Sequence, residues 1–169
     1  LMEKITDMSV TYALSQIDAG IDIFQVFDTH AGVLPYETYA SYCLPYVQKI
    51  VRAVRERGVP VIFFPKGIGM GYQQMDHSMT DYLSVDWQTP MASLLKNKDP
   101  KLGLQGNIDP RLLLGDRKMI SEKLEEYVDM GRTDKSWIFN LGHGILPHTP
   151  LDNIKHVVDW VKSTNWKRE

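Results

Sequence analysis

The residues with the clearest chemical potential lie where an apolar run gives way to Gly142-His143-Gly144. An imidazole changes its charge close to neutral pH, so it can exchange a proton or hold an anionic group. Glycine on both sides lets the backbone turn sharply and leaves space for a ligand beside the ring. The alternative is a turn in which the His143 side chain caps a neighbouring carbonyl group. The residues alone leave both interpretations open.

Polar residues also follow four other apolar runs that have the composition of strands. These residues are Asp28-Thr29-His30, Lys66-Gly67, Asp86-Trp87 and Gln105-Gly106-Asn107. Side chains alternate along a strand, so a Thr29 that faces a site would turn Asp28 and His30 away from it. We therefore predict that Asp28 and His30 cap loops.

The charged residues in these positions allow more than one role. Lys66 could pair with an acidic substrate or extend its ammonium group into solvent from the strand end. Asp86 could act as a general acid or base beside the aromatic wall of Trp87. Asp109 precedes Pro110, and this pair is typical of an N-cap and the first helical residue.

Two common kinds of site are not predicted. The glycine-rich segment 67–71 matches neither G-x-G-x-x-G nor the P-loop pattern, which argues against nucleotide binding. The 5 histidines show no H-x-x-x-H or H-E-x-x-H spacing on a helix. The single cysteine, Cys43, is predicted to lie within a helix and cannot supply a multi-thiolate site. We therefore expect no metal ion.

The amino-acid composition limits the kinds of binding partner and cellular compartment that we expect. The 169 residues are 43% hydrophobic, which suits one domain or part of a larger one. The net charge is -2, and Lys and Arg are interspersed with Asp and Glu. The sequence therefore predicts no basic patch that would bind nucleic acid. No apolar run approaches the roughly 20 residues that span a bilayer, and no signal peptide is evident, so no membrane partner is expected. The lone cysteine fits a reducing, cytoplasmic compartment.

The apolar pattern predicts strands that alternate with helices. The strands are expected at 21–28, 59–66, 81–87, 101–107 and 137–141, and the helices at 2–19, 35–57, 72–79, 91–95, 119–130 and from 151 onward. Gly131 is expected to end the helix at 119–130, and Thr149 and Pro150 to supply the N-cap and first residue of the last helix. Because the chain opens inside a helix, it is expected to be a piece of a longer protein, although Met2 could be a start residue.

Five strand-then-helix units predict an α/β fold with a parallel sheet and right-handed crossovers. The polar residues follow all five strands rather than gathering at one switch point. That distribution favours an arc of a (β/α)8 barrel over a doubly wound sheet. A closed barrel takes about 250 residues, so five units make up most of one.

Six motifs, in order and with matching spacing, carry a family resemblance. They are Phe27-Asp28-Thr29-His30-Ala31-Gly32, Leu44-Pro45-Tyr46, Gly58-Val59-Pro60-Val61-Ile62, Val85-Asp86-Trp87, Leu104-Gln105-Gly106-Asn107-Ile108-Asp109-Pro110 and Asn140-Leu141-Gly142-His143-Gly144-Ile145-Leu146-Pro147. Together they closely resemble the uroporphyrinogen decarboxylases, and the last two are specific to that family. The resemblance implies a TIM barrel, of which residues 1–169 would be the C-terminal part of a single domain, about strands four to eight.

The resemblance also implies an activity and a site. Uroporphyrinogen decarboxylases remove carbon dioxide from the four acetate side chains of uroporphyrinogen without a cofactor, giving coproporphyrinogen in haem and chlorophyll biosynthesis. In the family, the histidine that matches His143 lines the substrate cleft, and we expect it to be catalytic. Thr29 occupies the position of a substrate-contacting serine, and Phe27 matches an aromatic wall residue. The resemblance further implies that the full-length protein is a homodimer in the cytoplasm.

The rest of the family's machinery is expected outside this chain. An Arg-Gln-Ala-Gly-Arg loop, an aspartate and a tyrosine that contact substrate belong to the N-terminal half of the family. Since a substrate with eight carboxylates needs cationic partners, the chain alone is expected to have negligible activity. Two alternatives remain: a zinc-dependent corrinoid methyltransferase with the same barrel, and a non-catalytic structural fragment that pairs its open sheet edges with another copy.

Overall fold

A five-stranded parallel sheet forms the centre of the protein. The computed structural model describes residues 1–167, so positions 168–169 of the predicted domain lie outside the described residues. The strands are β1 (Phe24–Asp28), β2 (Val61–Pro65), β3 (Tyr82–Ser84), β4 (Gly103–Gln105) and β5 (Trp137–Ile138). Each strand pairs with the one before it and the one after it in the chain.

This strand order distinguishes between the two α/β architectures. In a doubly wound sheet the order reverses at a switch point. Here every crossover leads to the next strand in the same direction, as it does in an arc of a (β/α)8 barrel. The prediction of an α/β fold with a parallel sheet is confirmed, and the order is consistent with the barrel family.

Helical segments connect the strands. The α-helices are α1 (Met2–Asp18), α2 (Tyr36–Tyr42), α3 (Leu44–Arg55), α4 (Met91–Leu95), α5 (Arg117–Glu125), α6 (Val128–Thr133) and α7 (Leu151–Ser163). Shorter 3₁₀ helices occupy Ala31–Val33, Gly69–Gln74 and Pro110–Leu114. Within residues 1–167, no helix combines the length and the apolar character that crossing a membrane requires.

The helix predicted over 35–57 is two helices, α2 and α3, with Cys43 between them. Pro45 lies in the first turn of α3 and has no backbone N–H, so the hydrogen bonds of α2 cannot continue through it. Cys43 therefore lies at a helix junction, and its predicted position within a helix is wrong.

The segment after β2 forms a 3₁₀ helix at Gly69–Gln74 where an α-helix was predicted at 72–79. Gly67 and Gly69, which precede the predicted helix, have positive φ angles of 83° and 53° and form the turn that leads out of β2. The Tyr72 hydroxyl donates a hydrogen bond to the carbonyl oxygen of Pro65 at 3.0 Å, which holds the segment against the end of β2.

Two predicted helix ends are also wrong. Gly131 lies inside α6, where a Cβ would come within 2.7 Å of the Trp166 ring and 2.8 Å of the Trp137 ring. Its role is to let two indole rings pack against the helix. At the start of α7, Pro150 occupies the N-cap position, and the Thr149 hydroxyl is buried without a hydrogen-bond partner. Thr149 therefore does not cap α7.

The two faces of the sheet have different neighbours. Phe63, Leu83 and Leu104 point to one side, where they pack in the main core with residues of the helical segments such as Tyr39 and Tyr72. Alternation sends their neighbours Phe64, Ser84 and Gln105 to the opposite face. On that face the Phe27 side chain is 66% exposed. This face and the carboxyl-terminal edge of the sheet frame the candidate site.

Candidate active site

The candidate site lies at the carboxyl-terminal edge of the sheet, where the ends of the parallel strands meet. His143 reaches this edge from the segment after β5. Its ring stacks on the Trp87 indole with a centroid separation of 5.9 Å and an angle of 10°. The imidazole also lies beside the Phe64 ring of β2, with a centroid separation of 6.4 Å and an angle of 57° between the ring planes. Residues that are distant in sequence therefore surround one imidazole, as its predicted strand-end position implies.

The surroundings of His143 favour the neutral imidazole. Partial burial lowers the pKa of His143 below its ordinary value of 6.5, and the positive charge of Lys66 lowers it further. The ring nevertheless remains exposed to solvent. A neutral imidazole carries one donor and one acceptor nitrogen, so at neutral pH His143 can orient a carboxylate or relay a proton.

Gly142 and Gly144 serve His143 in different ways. The Gly142 amide donates a hydrogen bond to the Ile108 carbonyl oxygen at 2.7 Å, and a Cβ on Gly142 would overlap the backbone nitrogen of Trp87. Around Gly144, no atom of the described residues other than Gly144 and its two chain neighbours lies within 4 Å of an added Cβ. Neither glycine has a positive φ. Gly142 therefore allows close backbone packing, and Gly144 leaves open space beside the imidazole.

Phe27 extends the aromatic surface that holds His143. Its ring meets the Phe64 ring edge-on, with a centroid separation of 6.2 Å and an angle of 85°. The register places Phe27 directly opposite Phe64 on neighbouring strands. Thr29 lies exposed in the turn after β1. Phe27 and His143 therefore both contact the Phe64 ring, whereas Thr29 is exposed to solvent.

The residues on either side of Thr29 do not cap loops as predicted. The Asp28 carboxylate accepts a hydrogen bond from the Tyr39 hydroxyl of α2 at 2.8 Å. Burial and the Asp28 charge raise the pKa of Tyr39, so this hydroxyl remains a donor. His30 precedes the 3₁₀ helix at Ala31–Val33, but its side chain makes no capping hydrogen bond. Asp28 therefore faces the helices, as alternation implies, and fastens α2 to β1.

Asp86 organises the loops around the site rather than facing it. Only 1% of the residue is exposed. One carboxylate oxygen accepts hydrogen bonds from the Gly67 amide at 2.8 Å and the Tyr72 hydroxyl at 2.9 Å. The other accepts from the Gln88 amide at 3.0 Å and the Thr89 hydroxyl at 3.4 Å. Since both oxygens are occupied, the geometry does not support a general acid or base at Asp86.

The Gly67 contact also explains the glycine-rich segment. Its first amide binds the protein's own carboxylate, and the segment packs closely against the loop after β1. The Gly32 amide donates to the Lys66 carbonyl oxygen at 2.9 Å, and a Cβ on Gly32 would overlap the Gly67 carbonyl oxygen. The two loops therefore touch through their backbones.

Asp109 has the structural role predicted for it. Its side chain accepts a hydrogen bond from the Arg111 amide at 2.9 Å and so caps the 3₁₀ helix at Pro110–Leu114. The Arg111 guanidinium also binds the same carboxylate, at 2.6 Å. This hydrogen-bonded guanidinium lowers the pKa of Asp109. Across residues 1–167, the structure contains no group of three or more His, Cys, Asp or Glu side chains that could hold a metal ion.

Comparison with known proteins places the chain in a family. The model of the family described as uroporphyrinogen decarboxylase (URO-D) matches residues 1–164. The chain belongs to the uroporphyrinogen decarboxylase family. That membership confirms the resemblance carried by the six motifs.

Curated members of the uroporphyrinogen decarboxylase family show how much of the chain is shared. A protein of that name from Pelobacter propionicus is 35% identical over 162 residues, covering 96% of this chain and 48% of the relative. One from Trichlorobacter lovleyi is 37% identical over 161 residues, covering 95% and 47%. One from Picrophilus torridus is 36% identical over 162 residues, with the same coverage of 95% and 47%. The chain spans about half the length of the curated relatives it matches.

The supporting roles of three residues around this candidate site do not follow from the sequence. Phe64 lies in a continuous apolar strand, where no pattern separates a residue that faces the site from one in the core. Tyr72 begins the helix predicted at 72–79, and that prediction does not show that its hydroxyl binds Asp86. The Asn107 amide donates to the carbonyl oxygens of Asp86 at 2.7 Å and Thr89 at 2.6 Å. Its position at a strand end was the one available signal.

Proposed function

We propose that this chain forms the C-terminal part, about strands four to eight, of a (β/α)8 barrel that decarboxylates uroporphyrinogen to coproporphyrinogen. The supporting observation is His143, stacked on Trp87 at 5.9 Å at the strand-end edge, in a chain whose relatives are named uroporphyrinogen decarboxylase. The reaction would need no cofactor. The whole protein would act in the cytoplasm, and as a homodimer.

The aromatic residues suit the nonpolar part of such a substrate. Phe27 is largely exposed and packs edge-on against the buried Phe64 ring, so Phe27 offers an apolar surface to a pyrrole ring. Phe27 would form a wall of the cleft, and the Thr29 hydroxyl would hydrogen-bond a substrate carboxylate. The methyl group that Thr29 carries in place of a serine hydrogen would narrow the cleft slightly.

His143 would act on the reacting acetate group. Loss of carbon dioxide leaves an electron pair that a protonated pyrrole ring can accept, and the resulting methylene carbon must then take up a proton. The ring releases the proton that it gained, so one proton replaces each carbon dioxide that leaves. A neutral imidazole can donate a hydrogen bond to the departing carboxylate and relay that proton. Protonation of the pyrrole ring calls for a stronger acid, which the N-terminal half would supply. The chain alone would therefore have negligible activity.

A corrinoid methyltransferase has less support. That activity requires a thiolate-containing zinc site, whereas Cys43 lies between α2 and α3, away from His143 at the strand-end edge. Measurement of bound zinc in the purified protein separates the two activities. One zinc ion per chain would favour the methyltransferase.

The test compares the chain alone with the chain joined to the N-terminal half of the Trichlorobacter lovleyi relative, each verified by intact mass. We expect coproporphyrinogen from the joined protein and none from the chain alone. A His143→Ala substitution in the joined protein should lower kcat by about a hundredfold, because proton relay contributes on that order. A Lys162→Met substitution in α7 is the control and should leave kcat unchanged.

Each outcome has a separate meaning. Product from the chain alone would show that the catalytic groups lie within it. A folded joined protein that binds uroporphyrin but forms no product, even with its wild-type His143, would contradict the proposed decarboxylase activity.

A further inference from the structure

We propose that Lys66 is a carboxylate-binding residue of the substrate site, with its ammonium group held over the Trp87 ring next to His143. The group that it binds is a side-chain carboxylate of the acidic tetrapyrrole. This inference rests on the proposed function and deepens it, because it names the cation within this chain that meets the substrate.

The backbone around Lys66 is fixed on both sides. The Lys66 amide donates a hydrogen bond to the Asp28 carbonyl oxygen at 3.1 Å, and its own carbonyl oxygen accepts one from Gly32 at 2.9 Å. The next amide, that of Gly67, is bound by the buried Asp86 carboxylate at 2.8 Å. The anchoring fixes where the side chain begins.

The side chain is directed into the site. The Nζ atom of Lys66 lies 5.5 Å from the centroid of the Trp87 ring, within the range of a cation–π interaction. His143 stacks on the same indole at 5.9 Å. The Lys66 charge contributes to the lowered pKa of His143, which shows that the two groups are electrostatically close. The ammonium and the imidazole therefore both lie against one indole, where each can donate to a carboxylate of the same substrate.

No carboxylate of the described residues neutralises the charge of Lys66. Arg111, which follows β4, forms a forked pair with Asp109 at 2.6 Å. No ion pair in residues 1–167 joins Lys66 to a carboxylate. The nearby Asp86 carboxylate is buried and already accepts four hydrogen bonds. Lys66 is partly exposed, so its ammonium is available to a carboxylate that enters the site.

The kinetic test uses the decarboxylating protein that contains this chain. We expect Lys66→Met to raise KM for uroporphyrinogen about tenfold or more, because an ion-paired hydrogen bond is lost, and to change kcat less. Lys66→Arg, which keeps the charge, should restore most of the affinity. The matched control Lys162→Met removes the same charge from the exposed end of α7 and should leave KM unchanged.

A binding test on the chain does not depend on turnover. The probe is a monopyrrole with one acetate and one propionate side chain, titrated at low salt while the His143 and Trp87 signals are followed by NMR. Both signals should shift in the wild type, in Lys66→Arg and in Lys162→Met, and should remain in place in Lys66→Met. Thermal unfolding confirms that every variant is folded, and Lys66→Gln serves as a second neutral variant.

The outcomes separate this inference from the proposed function. If Lys66→Met and Lys66→Gln bind the monopyrrole and uroporphyrinogen as the wild type does, the inference is wrong, although decarboxylation stands. If the monopyrrole binds through Lys66 but uroporphyrinogen is not decarboxylated, the inference holds and the proposed activity fails. If the wild type binds neither compound, the inference is overturned.

Discussion

The acid–base behaviour of His143 depends on two neighbours of different kinds. Trp87 covers one face of the imidazole and removes water from it, and Lys66 adds a positive charge nearby. Both effects disfavour the imidazolium ion. The same indole that carries the ammonium therefore keeps the histidine neutral, so one aromatic side chain supports two polar groups with different tasks.

We predict that the His143 imidazole titrates below its ordinary pKa of 6.5 when its ring proton is followed by NMR. The protonated form, which is disfavoured in the folded protein, appears only as the pH falls through the lowered value. Any stability that the folded state owes to the neutral ring is fully present above pH 6.5 and decreases as the pH falls below that value. Trp87→Ala should raise the midpoint by restoring water to the ring, and Trp87→Phe should retain most of the shift. A wild-type midpoint at or above 6.5 would contradict this account.

At the scale of elements, the site depends on close backbone contacts between strand-end segments. The segment that carries His143 approaches the segment after β3 so closely that Gly142 has no space for a Cβ beside Trp87. It is also tied to the segment after β4 by the parallel bridge between Ile108 and Leu141. These contacts, rather than side-chain packing alone, fix the height of the imidazole above the sheet.

Gly142→Ala should lower the free energy of unfolding by about 1–3 kcal/mol, because its methyl group must displace backbone rather than a flexible side chain. The corresponding loss in melting temperature is about 2–4 °C per kcal/mol for a protein of this size. Gly144→Ala is the matched control and should remain within about 0.5 kcal/mol of the wild type, since its Cβ meets open space. Thermal and urea unfolding measure both changes. Equal stability of the two variants would exclude the proposed clash.

Several elements could be predicted because their signals are local. The strand at 61–65 coincides with a continuous run of apolar residues, and Asp109 before Pro110 has the composition of a cap. The role of Asp86 was not predictable, because its partners Gly67 and Tyr72 lie 19 and 14 residues away in the chain. Phe64 and Phe63 have the same side chain, and only the strand register determines which one faces His143.

At the scale of the whole molecule, apolar surface is exposed where the sheet and the first helix end. In the described part of the chain, β1 and β5 each pair on one side only. One side of α1 carries Ile5, Met8 and Tyr12, which are 48%, 73% and 62% exposed. Unpaired strand edges and contiguous apolar helix faces favour association with other polypeptide surfaces. In a complete barrel, the remaining strands and helices would cover them.

The isolated chain should therefore self-associate in a way that depends on the apolar side of α1. Met8→Glu places a charge on that side and should shift the elution in size-exclusion chromatography toward the monomer. Ser41→Glu, at an exposed position on α2, is the control for added charge and should elute as the wild type does. Identical elution of the two variants would assign the association to another surface. Light scattering at several concentrations gives the mass independently of shape.

The backbone contact between Gly32 and Gly67 also has a practical meaning for anyone who redesigns substrate choice. The loops after β1 and β2 interlock without room for a Cβ on Gly32, so neither can be exchanged for a longer or bulkier loop while the other stays in place. When loops are grafted between members of the family, the loops after β1 and β2 must be transferred together. Recombination between them would produce clashes even where each parent is well folded.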